Sequence, residues 1–377
     1  MRLFTGICLI LGFMACKRQQ AENNITEKEV ADVEIIRPEY ATGFEIEVHP
    51  GFSIIRVDRP WNQAESGFRY LLLEQAGREV PPGDFDAIIK GSPERILCTS
   101  TTHLPMLEML GAGKKLVGFP GTDLISSPYF ISRMDSITDV GSEKGINIEK
   151  VIEIQPDLVI TFGTGYSFDQ LEALKRTGIP FVIDADYMEN HPLGRAEWIR
   201  FFGAFLGMGT KADSIFHRIR DEYLSLRSRV PDTPGPTVLT GVMYGDTWFM
   251  PGGRNYAAQF FRDAGAIYLW SENNETGWLE LGFESVYDQA YDAQFWVGVA
   301  SFNSRSEMVG SDHRYGLFAA LKRGNVFNYN ARIGPGGGNE YLETGYARPD
   351  WVLADLIHIF HPELLPGHTL YYYKVLP

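Results

Sequence analysis

The sequence predicts an α/β protein with two Rossmann-like lobes, each built on a parallel sheet, joined by one long α-helix and separated by a ligand cleft. Strand-like and helix-like segments alternate along residues 95–183, and the same alternation restarts at residue 238. Such alternation is typical of parallel sheets covered by helices. Residues 145–163 also align without a gap on residues 280–298, so that Glu149 falls on Glu284 and Gly163 on Gly298. Two similar lobes favour a protein that holds a ligand over one that cleaves it.

The first residues predict export and a lipid anchor. Arg2 precedes an apolar stretch that is shorter than the roughly 20 residues of a membrane span. Cys16 follows a small residue, as in a bacterial lipoprotein signal peptide, so we expect residues 1–16 to be the signal and Cys16 to carry the lipid. An ordinary signal peptide with an incidental cysteine is the alternative. Residues 17–40 are polar and predict a flexible tether. The expected location is the periplasm, with membrane attachment through Cys16 only.

Composition limits the function classes. The chain has 377 residues, 44% of them hydrophobic, and a formal net charge of −14. This acidity argues against a nucleic-acid partner, because nucleic-acid binding depends on clustered Lys and Arg. Cys98 is the one cysteine that remains after Cys8 and Cys16, so no disulfide is expected within the mature chain. We expect a monomer without a cofactor of its own.

The elements of the first half follow from local patterns. Residues 41–90 predict a β-hairpin extension, because two alternating apolar runs flank the turn at residues 49–52. Residues 91–209 predict the N-terminal lobe, including a helix between Asn147 and Pro156. Its strands are expected at residues 95–98, 115–119, 158–162 and 181–183, and further helices at 104–110, 171–176 and 197–206.

The second half repeats this organisation after a connecting helix. Residues 210–230 predict the linking helix, since apolar residues recur at helical spacing up to Leu226 and Pro231 follows. A single joining helix predicts a stiff hinge and a small closing motion. Residues 231–377 predict the C-terminal lobe, with a strand at residues 238–243, a loop at 244–255 and a helix at 256–263.

Five short segments occur in an order and spacing that carry a resemblance: residues 93–97, 107–111, 147–151, 155–160 and 261–266. Over residues 91–377 the chain resembles the helical-backbone substrate-binding proteins of ABC importers for iron–siderophore complexes, haem and cobalamin. The resemblance implies that one glutamate from each lobe docks onto arginines of the permease, which works with its ATPase. The corresponding positions here are Glu149 and Glu284. The alternative is that both are solvated glutamates in first helical turns, which the helix dipole favours.

Ligand contacts are expected at the carboxyl ends of the strands, where ligands of parallel sheets collect. Large flat ligands suit aromatic walls, and anionic ferric chelates suit arginine, so a small-molecule metal chelate, a ferric siderophore above all, is the favoured cargo. Haem and cobalamin are alternatives. Tyr244 and Trp248 have the alternative role of packing the lobe core, and His103 that of capping the next helix. The candidate contacts are Thr101, His103, Thr164, Tyr166, Tyr244, Trp248, Arg254, Arg305 and Arg332.

Three other functions stay open. A bare zinc or manganese site requires converging His and carboxylate ligands, and the eight histidines include no His-rich loop. An enzyme would be expected to show a nucleophile elbow, a zinc-protease pair or a P-loop, and the sequence contains none of these motifs. A surface protein that passes its ligand to an outer-membrane receptor is the third. The glycine-rich residues 334–338 lack the order of a nucleotide-binding loop and predict a flexible cleft loop.

Overall fold

The computed structural model describes residues 33–75, 77–142, 145–164 and 168–377. The predicted signal peptide with Cys16, most of the tether, and Tyr166 lie outside the described residues. The rest of the chain confirms an α/β fold with two lobes. In this part of the chain, none of the helices combines the length and apolar character that a membrane crossing requires.

An N-terminal sheet precedes the two lobes. Its strands are β1 Glu34–Ile36, β2 Phe44–His49, β3 Phe52–Val57, β4 Phe68–Leu73 and β5 Ala87–Lys90. They pair in chain order, antiparallel except for the parallel pair β4–β5. The hairpin formed by β2 and β3 lies where the alternating pattern predicts it. It is the centre of a wider sheet and not a separate extension.

Two buried carboxylates hold the start of this sheet against the rest of the chain. Glu197 accepts hydrogen bonds from the backbone N–H groups of residues 39–41 at 2.7–2.9 Å. Glu189 accepts those of residues 42 and 43 at 2.8 and 2.9 Å. Because buried carboxylates and buried backbone donors are both costly when unpaired, this arrangement fixes the N-terminal segment in place.

The first lobe is built on a parallel sheet. Its elements are the strands β6 Ile96–Cys98, β7 Leu116–Phe119, β8 Thr138–Asp139, β9 Gly141–Ser142, β10 Gly145–Ile146, β11 Leu158–Thr161 and β12 Phe181–Ile183, and the helices α1 His103–Met109, α2 Pro128–Ile131, α3 Ile148–Ile154 and α4 Phe168–Thr177. The strand order is β12-β11-β6-β7-β8, all parallel, while β9 and β10 form a small hairpin. The carboxyl ends of its strands therefore meet at one edge of the lobe.

Three helices connect the lobes: α5 Pro192–Glu197, α6 Ile199–Phe205 and α7 Gly209–Arg227. The helix predicted at residues 197–206 is divided at Trp198, whose buried ring packs 4.8 Å from that of Phe44 in the N-terminal sheet. α7 is the linking helix, and it buries the apolar face that the helical spacing predicts.

The second lobe repeats the parallel arrangement. Its strands are β13 Thr237–Leu239, β14 Val242–Tyr244, β15 Thr247–Pro251, β16 Ile267–Tyr268, β17 Trp278–Gly282, β18 Phe295–Val297, β19 Val326–Asn328 and β20 Lys374–Val375, and its helices are α8 Tyr256–Asp263, α9 Phe283–Ala290, α10 Arg305–Ser311, α11 Ala319–Arg323, α12 Glu340–Thr344 and α13 Pro349–Phe360. The main sheet has the order β16-β13-β18-β19-β20, and only β20 runs antiparallel. Single 3-10 turns complete the described chain at Gly113–Lys115, Thr122–Leu124, Met134–Ser136, Asp186–Met188, His313–Leu317 and Pro362–Leu364.

A separate antiparallel sheet of β14, β15 and β17, here called the side sheet, was not predicted. The strand expected at residues 238–243 is interrupted because Gly241 adopts a φ of +77°, a conformation that glycine tolerates. The carbonyl of Thr240 accepts the indole N–H of Trp248 at 3.1 Å, and that of Gly241 accepts the indole N–H of Trp296 at 2.9 Å. The two indoles thus hold the turn that leads the chain out of the main sheet.

The internal repeat of the sequence is also a structural repeat. α3 and β11 in the first lobe occupy the places of α9 and β18 in the second. Val151 and Val286, which align in the repeat, are both fully buried. Glu149 and Glu284 are the second residues of their helices, and both are exposed.

The glycine-rich residues 334–338 join the two lobes. A Cβ atom at Gly338 would lie 1.8 Å from the carbonyl oxygen of Leu124, so the main chains of the two lobes touch and a side chain would not fit. Beside this contact, the buried carboxylate of Glu343 accepts the backbone N–H and the hydroxyl of Ser126 at 2.7 and 2.6 Å. We call these contacts the inter-lobe clasp. The predicted cleft loop therefore packs against the first lobe in this structure.

Candidate ligand-binding cleft

A large cavity opens at the carboxyl edge of the second-lobe sheet. Its volume is 450 Å³, within the range of about 300–1,000 Å³ that is typical of small-molecule sites. Gly298 borders it just after β18, and Tyr329 borders it directly after β19. Aromatic rings dominate the lining: Tyr244, Phe249, Tyr256, Phe260, Phe261, Trp278, Tyr329, Tyr341, Tyr346 and Tyr373.

The side sheet presents two exposed rings to this cavity. Tyr244 is 84% exposed and Trp278 is 63% exposed. Trp278 pairs with Pro251 in the β15–β17 ladder, which fixes its position on the sheet. Large apolar side chains that remain exposed in a concave place mark a binding surface. The side sheet is therefore the most accessible aromatic wall of the cavity.

A smaller cavity of 190 Å³ lies at the carboxyl ends of the first-lobe strands. Tyr346, which belongs to the second lobe, borders both cavities. The two cavities therefore belong to one cleft between the lobes, with an aromatic second-lobe side and a first-lobe side rich in hydroxyl groups. The smaller cavity is lined by Ser100, Thr102, Phe162, Thr164, Asp186, Tyr187 and Tyr346.

Arg195 connects the aromatic side of the cleft to the helices between the lobes. Its buried guanidinium lies 3.5 Å from the ring centre of Tyr256 and 4.3 Å from that of Tyr346. The same group donates to the backbone oxygens of Glu189 at 3.2 Å and of Tyr187 at 2.8 Å. The cation–π contacts hold the two cavity-lining rings in position.

Three titratable side chains lie at or behind the smaller cavity. Oδ2 of Asp184 is 3.5 Å from Nε2 of His103, and both side chains are fully buried. Burial lowers the pKa of His103 to about 3 and raises the pKa of Asp184 well above its usual value, so burial disfavours the charged form of both groups. Burial also raises the pKa of Asp186 to about 6, while Arg195 acts in the opposite direction.

Trp61, from the connection between β3 and β4, reaches the same edge of the first lobe. A Cβ atom at Gly163 would lie 2.4 Å from the Trp61 ring, so the indole rests directly on this glycine. The hydroxyl of Tyr187 donates to the carbonyl of Gly163 at 2.7 Å. The neighbours Phe162 and Thr164 line the smaller cavity. The N-terminal sheet thus places an aromatic ring at the rim of the cleft.

Some predicted contact residues lie at the cleft, and their ligand contact stays a prediction. Tyr244 lines the large cavity and Thr164 lines the smaller one. Thr101 is half-buried between two residues that line the smaller cavity but does not line it itself. Tyr166 lies outside the described residues.

Two predicted contact residues are buried in the lobes. Trp248 is fully buried and stacks on Trp296 with 5.4 Å between ring centres, so it belongs to the second-lobe core. His103 is fully buried as the first residue of α1, with its ring 5.8 Å from that of Phe202. Ligand contact by these two side chains is therefore a wrong prediction for this structure, because neither has accessible surface.

The three predicted arginines do not converge on the cavities. Arg305 donates to the carbonyl of Leu321 at 3.4 Å, on the side of the lobe where the chain enters β19. Arg332 stacks 3.9 Å above the ring of Tyr371, away from both cavities. Arg254 is exposed and precedes α8, but it does not line the large cavity. None of the three lines either cavity, and ligand contact by these arginines stays a prediction.

Most of the cavity rings were not predicted. Tyr329 was within reach of the rule about strand ends, since it directly follows a buried strand. Trp278 stands on the side sheet, and Tyr256, Tyr341 and Tyr346 lie on or after helices, where the sequence shows no pattern that separates a cleft ring from a core ring.

Metal ligands do not cluster in the described parts of the chain. Across residues 33–75, 77–142, 145–164 and 168–377, no group of three or more His, Cys, Asp or Glu side chains is placed to hold a metal ion. A site for a bare zinc or manganese ion therefore has no ligand set among these residues.

The two lobes, the linking helix and the cleft between them define a two-lobed binding protein. The chain belongs to the periplasmic binding protein family, whose sequence model matches residues 96–333. This family consists of binding proteins and not of enzymes, which confirms the prediction that the chain has no catalytic activity.

Relatives of the chain are lipoproteins. An uncharacterized lipoprotein of Methanocaldococcus jannaschii is 28% identical over 303 residues, covering 77% of this chain and 70% of the relative. An uncharacterized ABC transporter substrate-binding lipoprotein of Bacillus subtilis is 25% identical over 146 residues, covering 38% of this chain and 44% of the relative.

Solved structures share the fold. The periplasmic haem-binding protein of Roseiflexus sp. RS-1 has a TM-score of 0.56 and 20% identity, covering 73% of this chain and 100% of that structure. The periplasmic vitamin B12 binding protein of Vibrio cholerae has a TM-score of 0.50 and 16% identity, covering 71% of this chain and 96% of that structure.

Proposed function

We propose that this chain is an extracytoplasmic substrate-binding protein that captures a bulky metal chelate and delivers it to an ABC permease with its ATPase. The observation that carries this proposal is the aromatic cavity of 450 Å³, which lies at the strand ends of the second lobe, where ligands collect. Its exposed rings, Trp278 above all, suit a large flat ligand. Membership of the periplasmic binding protein family supports the same role.

The cargo that the geometry favours is a flat, weakly charged macrocyclic chelate of the haem or cobalamin class. The preference for an anionic ferric siderophore depended on Arg254, Arg305 and Arg332, and these arginines do not line the cavity. The haem-binding and vitamin B12-binding proteins of similar fold are in line with this choice. A ferric siderophore is the second candidate, favoured by Arg254, whose exposed side chain precedes the cavity-lining helix α8.

Docking on the permease would use Glu149 and Glu284. Each is exposed in the first turn of a helix, and the repeat gives both helices the same place in their lobes. An exposed carboxylate can make bidentate, charge-assisted hydrogen bonds with an arginine of the partner.

Membrane attachment would occur through a lipid on Cys16 and the tether of residues 17–40. The lipoprotein nature of the relatives supports this arrangement. The protein would then stay outside the cytoplasm as a monomer, with the membrane reached through the lipid alone. The N-terminal sheet would travel with the first lobe, because Glu189 and Glu197 hold it there.

Titration with haemin, cyanocobalamin and a ferric siderophore tests the proposed cargo. We expect quenching of tryptophan fluorescence by a macrocycle, since Trp278 is exposed beside the cavity. A Trp278→Phe variant identifies the part of the signal that arises in the cleft. Binding of free zinc without any response to a chelate would contradict the proposal.

A further inference from the structure

Asp186 is a buried acid with an unused acceptor in the wall of the cleft. Its side chain lines the smaller cavity, yet the residue is only 3% exposed. Oδ2 of Asp186 has no hydrogen-bond partner among the described residues. The backbone holds the residue in place, because Oδ1 of Asp184 accepts the N–H of Asp186 at 2.9 Å at the end of β12.

The neighbouring cation does not satisfy this carboxylate. Arg195 is close enough to lower the pKa of Asp186, but its Nε and Nη2 donate to the backbone oxygens of Glu189 and Tyr187. Among residues 33–75, 77–142, 145–164 and 168–377, no cation lies within 4.0 Å of the Asp186 carboxylate. A buried polar group without a partner is costly, and native proteins keep few of them. The Thr102 hydroxyl and the backbone N–H of Tyr187 donate to this carboxylate, which leaves Oδ2 as its one oxygen without a partner.

Resting on the proposed function, we infer that Asp186 is the hydrogen-bond acceptor for an uncharged N–H or O–H group on the rim of the bound chelate. The surrounding wall is suited to such a rim, since the hydroxyls of Ser100, Thr102 and Thr164 line the same cavity. An uncharged donor fits better than a cation because Arg195 already supplies the positive charge beside this carboxylate. Primary amides and hydroxyls are the groups of this chemistry.

The two cavities then recognise different parts of one ligand. The rings of the large cavity contact the flat body of the chelate, while Asp186 in the smaller cavity selects a donor on its rim. A chelate whose rim carries only carboxylates would face Asp186 with like charge, which disfavours its binding. The first lobe is therefore expected to set selectivity between macrocycles of similar shape.

The test compares Asp186→Asn with Asp350→Asn in the whole mature protein. Asp350 is also buried, but it lines neither cavity, so it is the matched control. The probes are cyanocobalamin, whose rim carries amides, and haemin, whose rim carries carboxylates. We expect Asp186→Asn to weaken cyanocobalamin binding by about 10- to 100-fold, as for loss of a hydrogen bond to a charged group. Asp350→Asn should leave this affinity unchanged.

Stability of the empty protein gives a second measurement. We expect Asp186→Asn to raise the melting temperature without ligand, because it removes the charge of a buried carboxylate whose Oδ2 has no partner. An unchanged cyanocobalamin affinity in this variant, or haemin binding with no cyanocobalamin binding by the unaltered protein, would overturn the inference alone. Equal weakening for both probes together with a lower melting temperature would show a structural role instead. If the unaltered protein binds no chelate, the proposed function fails and the inference fails with it.

Discussion

The two lobes repeat one helix–strand unit, but the glycine that ends the unit has different neighbours in each lobe. In the first lobe the aligned glycine is Gly163, and it is small because the ring of Trp61 rests on it. In the second lobe it is Gly298, and it is glycine because the chain turns there with a φ of +80°. The first unit leads to a cavity of 190 Å³ with hydroxyls and a carboxylate, and the second leads to one of 450 Å³ lined by rings.

This difference separates the scaffold from the site. The repeat sets the outer helices α3 and α9 and the inner strands β11 and β18, which are alike in both lobes. Much of the cleft surface comes from parts that are not repeated, such as the side sheet in the second lobe, while Phe162 and Gly298 at the ends of the repeated units also line it. Substitutions at equivalent positions of the outer surface should therefore have similar effects in the two lobes. Substitutions in the cleft should have different effects in the two lobes.

Charge reversal at both outer glutamates should have the largest effect. We expect Glu149→Arg with Glu284→Arg to abolish uptake in cells that carry the permease. Each introduced arginine would repel the permease arginine that the glutamate is proposed to bind. Each single reversal should lower uptake to a similar degree if the lobes dock equivalently. The measurement is uptake of labelled cargo alongside cargo affinity of the purified variant.

The control for this experiment is Glu172→Arg, which reverses an exposed charge on α4 outside the repeat. It should leave uptake intact. A loss of cargo affinity in the double variant would contradict docking and would assign the two glutamates to the cleft or to the fold.

Removal of a cleft ring should affect the two lobes unequally. We expect Trp278→Ala in the side sheet to weaken cargo binding by about 30-fold, a loss of about 2 kcal/mol that is usual for a central tryptophan. Phe162→Ala in the first lobe should weaken cargo binding less, since the Phe162 ring lines the smaller cavity. Calorimetric titration of both variants measures the difference. Equal losses would show that the aromatic surface is shared evenly between the lobes.

Acid should weaken the first lobe through His103. Its pKa in the folded protein is about 3, below the value of 6.5 in an unfolded chain, so the unfolded state binds more protons between these values. The contribution of His103 to the free energy of unfolding is therefore fully present above about pH 6.5. About 2 kcal/mol of it is lost as the pH drops to about 5. His103→Gln should remove this part of the slope, as measured by denaturant unfolding at several pH values. The exposed His313→Gln is the control, and an identical slope in His103→Gln would contradict the assignment.

The inter-lobe clasp should contribute a smaller effect that belongs to neither lobe alone. Glu343→Gln replaces one of the two carboxylate oxygens that accept from Ser126 and Ser127 by a donor. We expect a loss of about 1 kcal/mol in the free energy of unfolding. The same substitution at the exposed Glu153 should change nothing measurable. Two separate unfolding transitions in Glu343→Gln would show that the clasp is what makes the lobes unfold together.

The sequence predicts the scaffold better than the site for physical reasons. Helical spacing in α7 and the capped helix α3 are local patterns, and the structure forms both elements. The end of β13 depends on Trp248 and Trp296, which donate to the turn at Gly241, and Trp296 lies 55 residues further along the chain. Neither the side sheet nor the burial of Trp248 follows from local spacing, because both depend on this tertiary contact.

The arginines also show that tertiary contacts limit prediction from sequence. The sequence shows that Arg305 follows a strand, and for this reason Arg305 was predicted to be a cleft residue. The direction of a long side chain is decided by the partners it finds, and Arg305 finds the carbonyl of Leu321. By contrast, Asp186 is a short side chain next to a strand end, and it remains at the cleft.

The strand β17 has a mechanical consequence. It begins at Trp278 in the wall of the large cavity and ends at Gly282, and α9 with Glu284 starts at the next residue. No loop separates the ring in the cavity wall from the helix that carries the outer carboxylate. A force applied to α9 by a partner would therefore be transmitted along one rigid strand to the cavity wall. The first lobe has no such lever, because α3 follows the small β9–β10 hairpin instead.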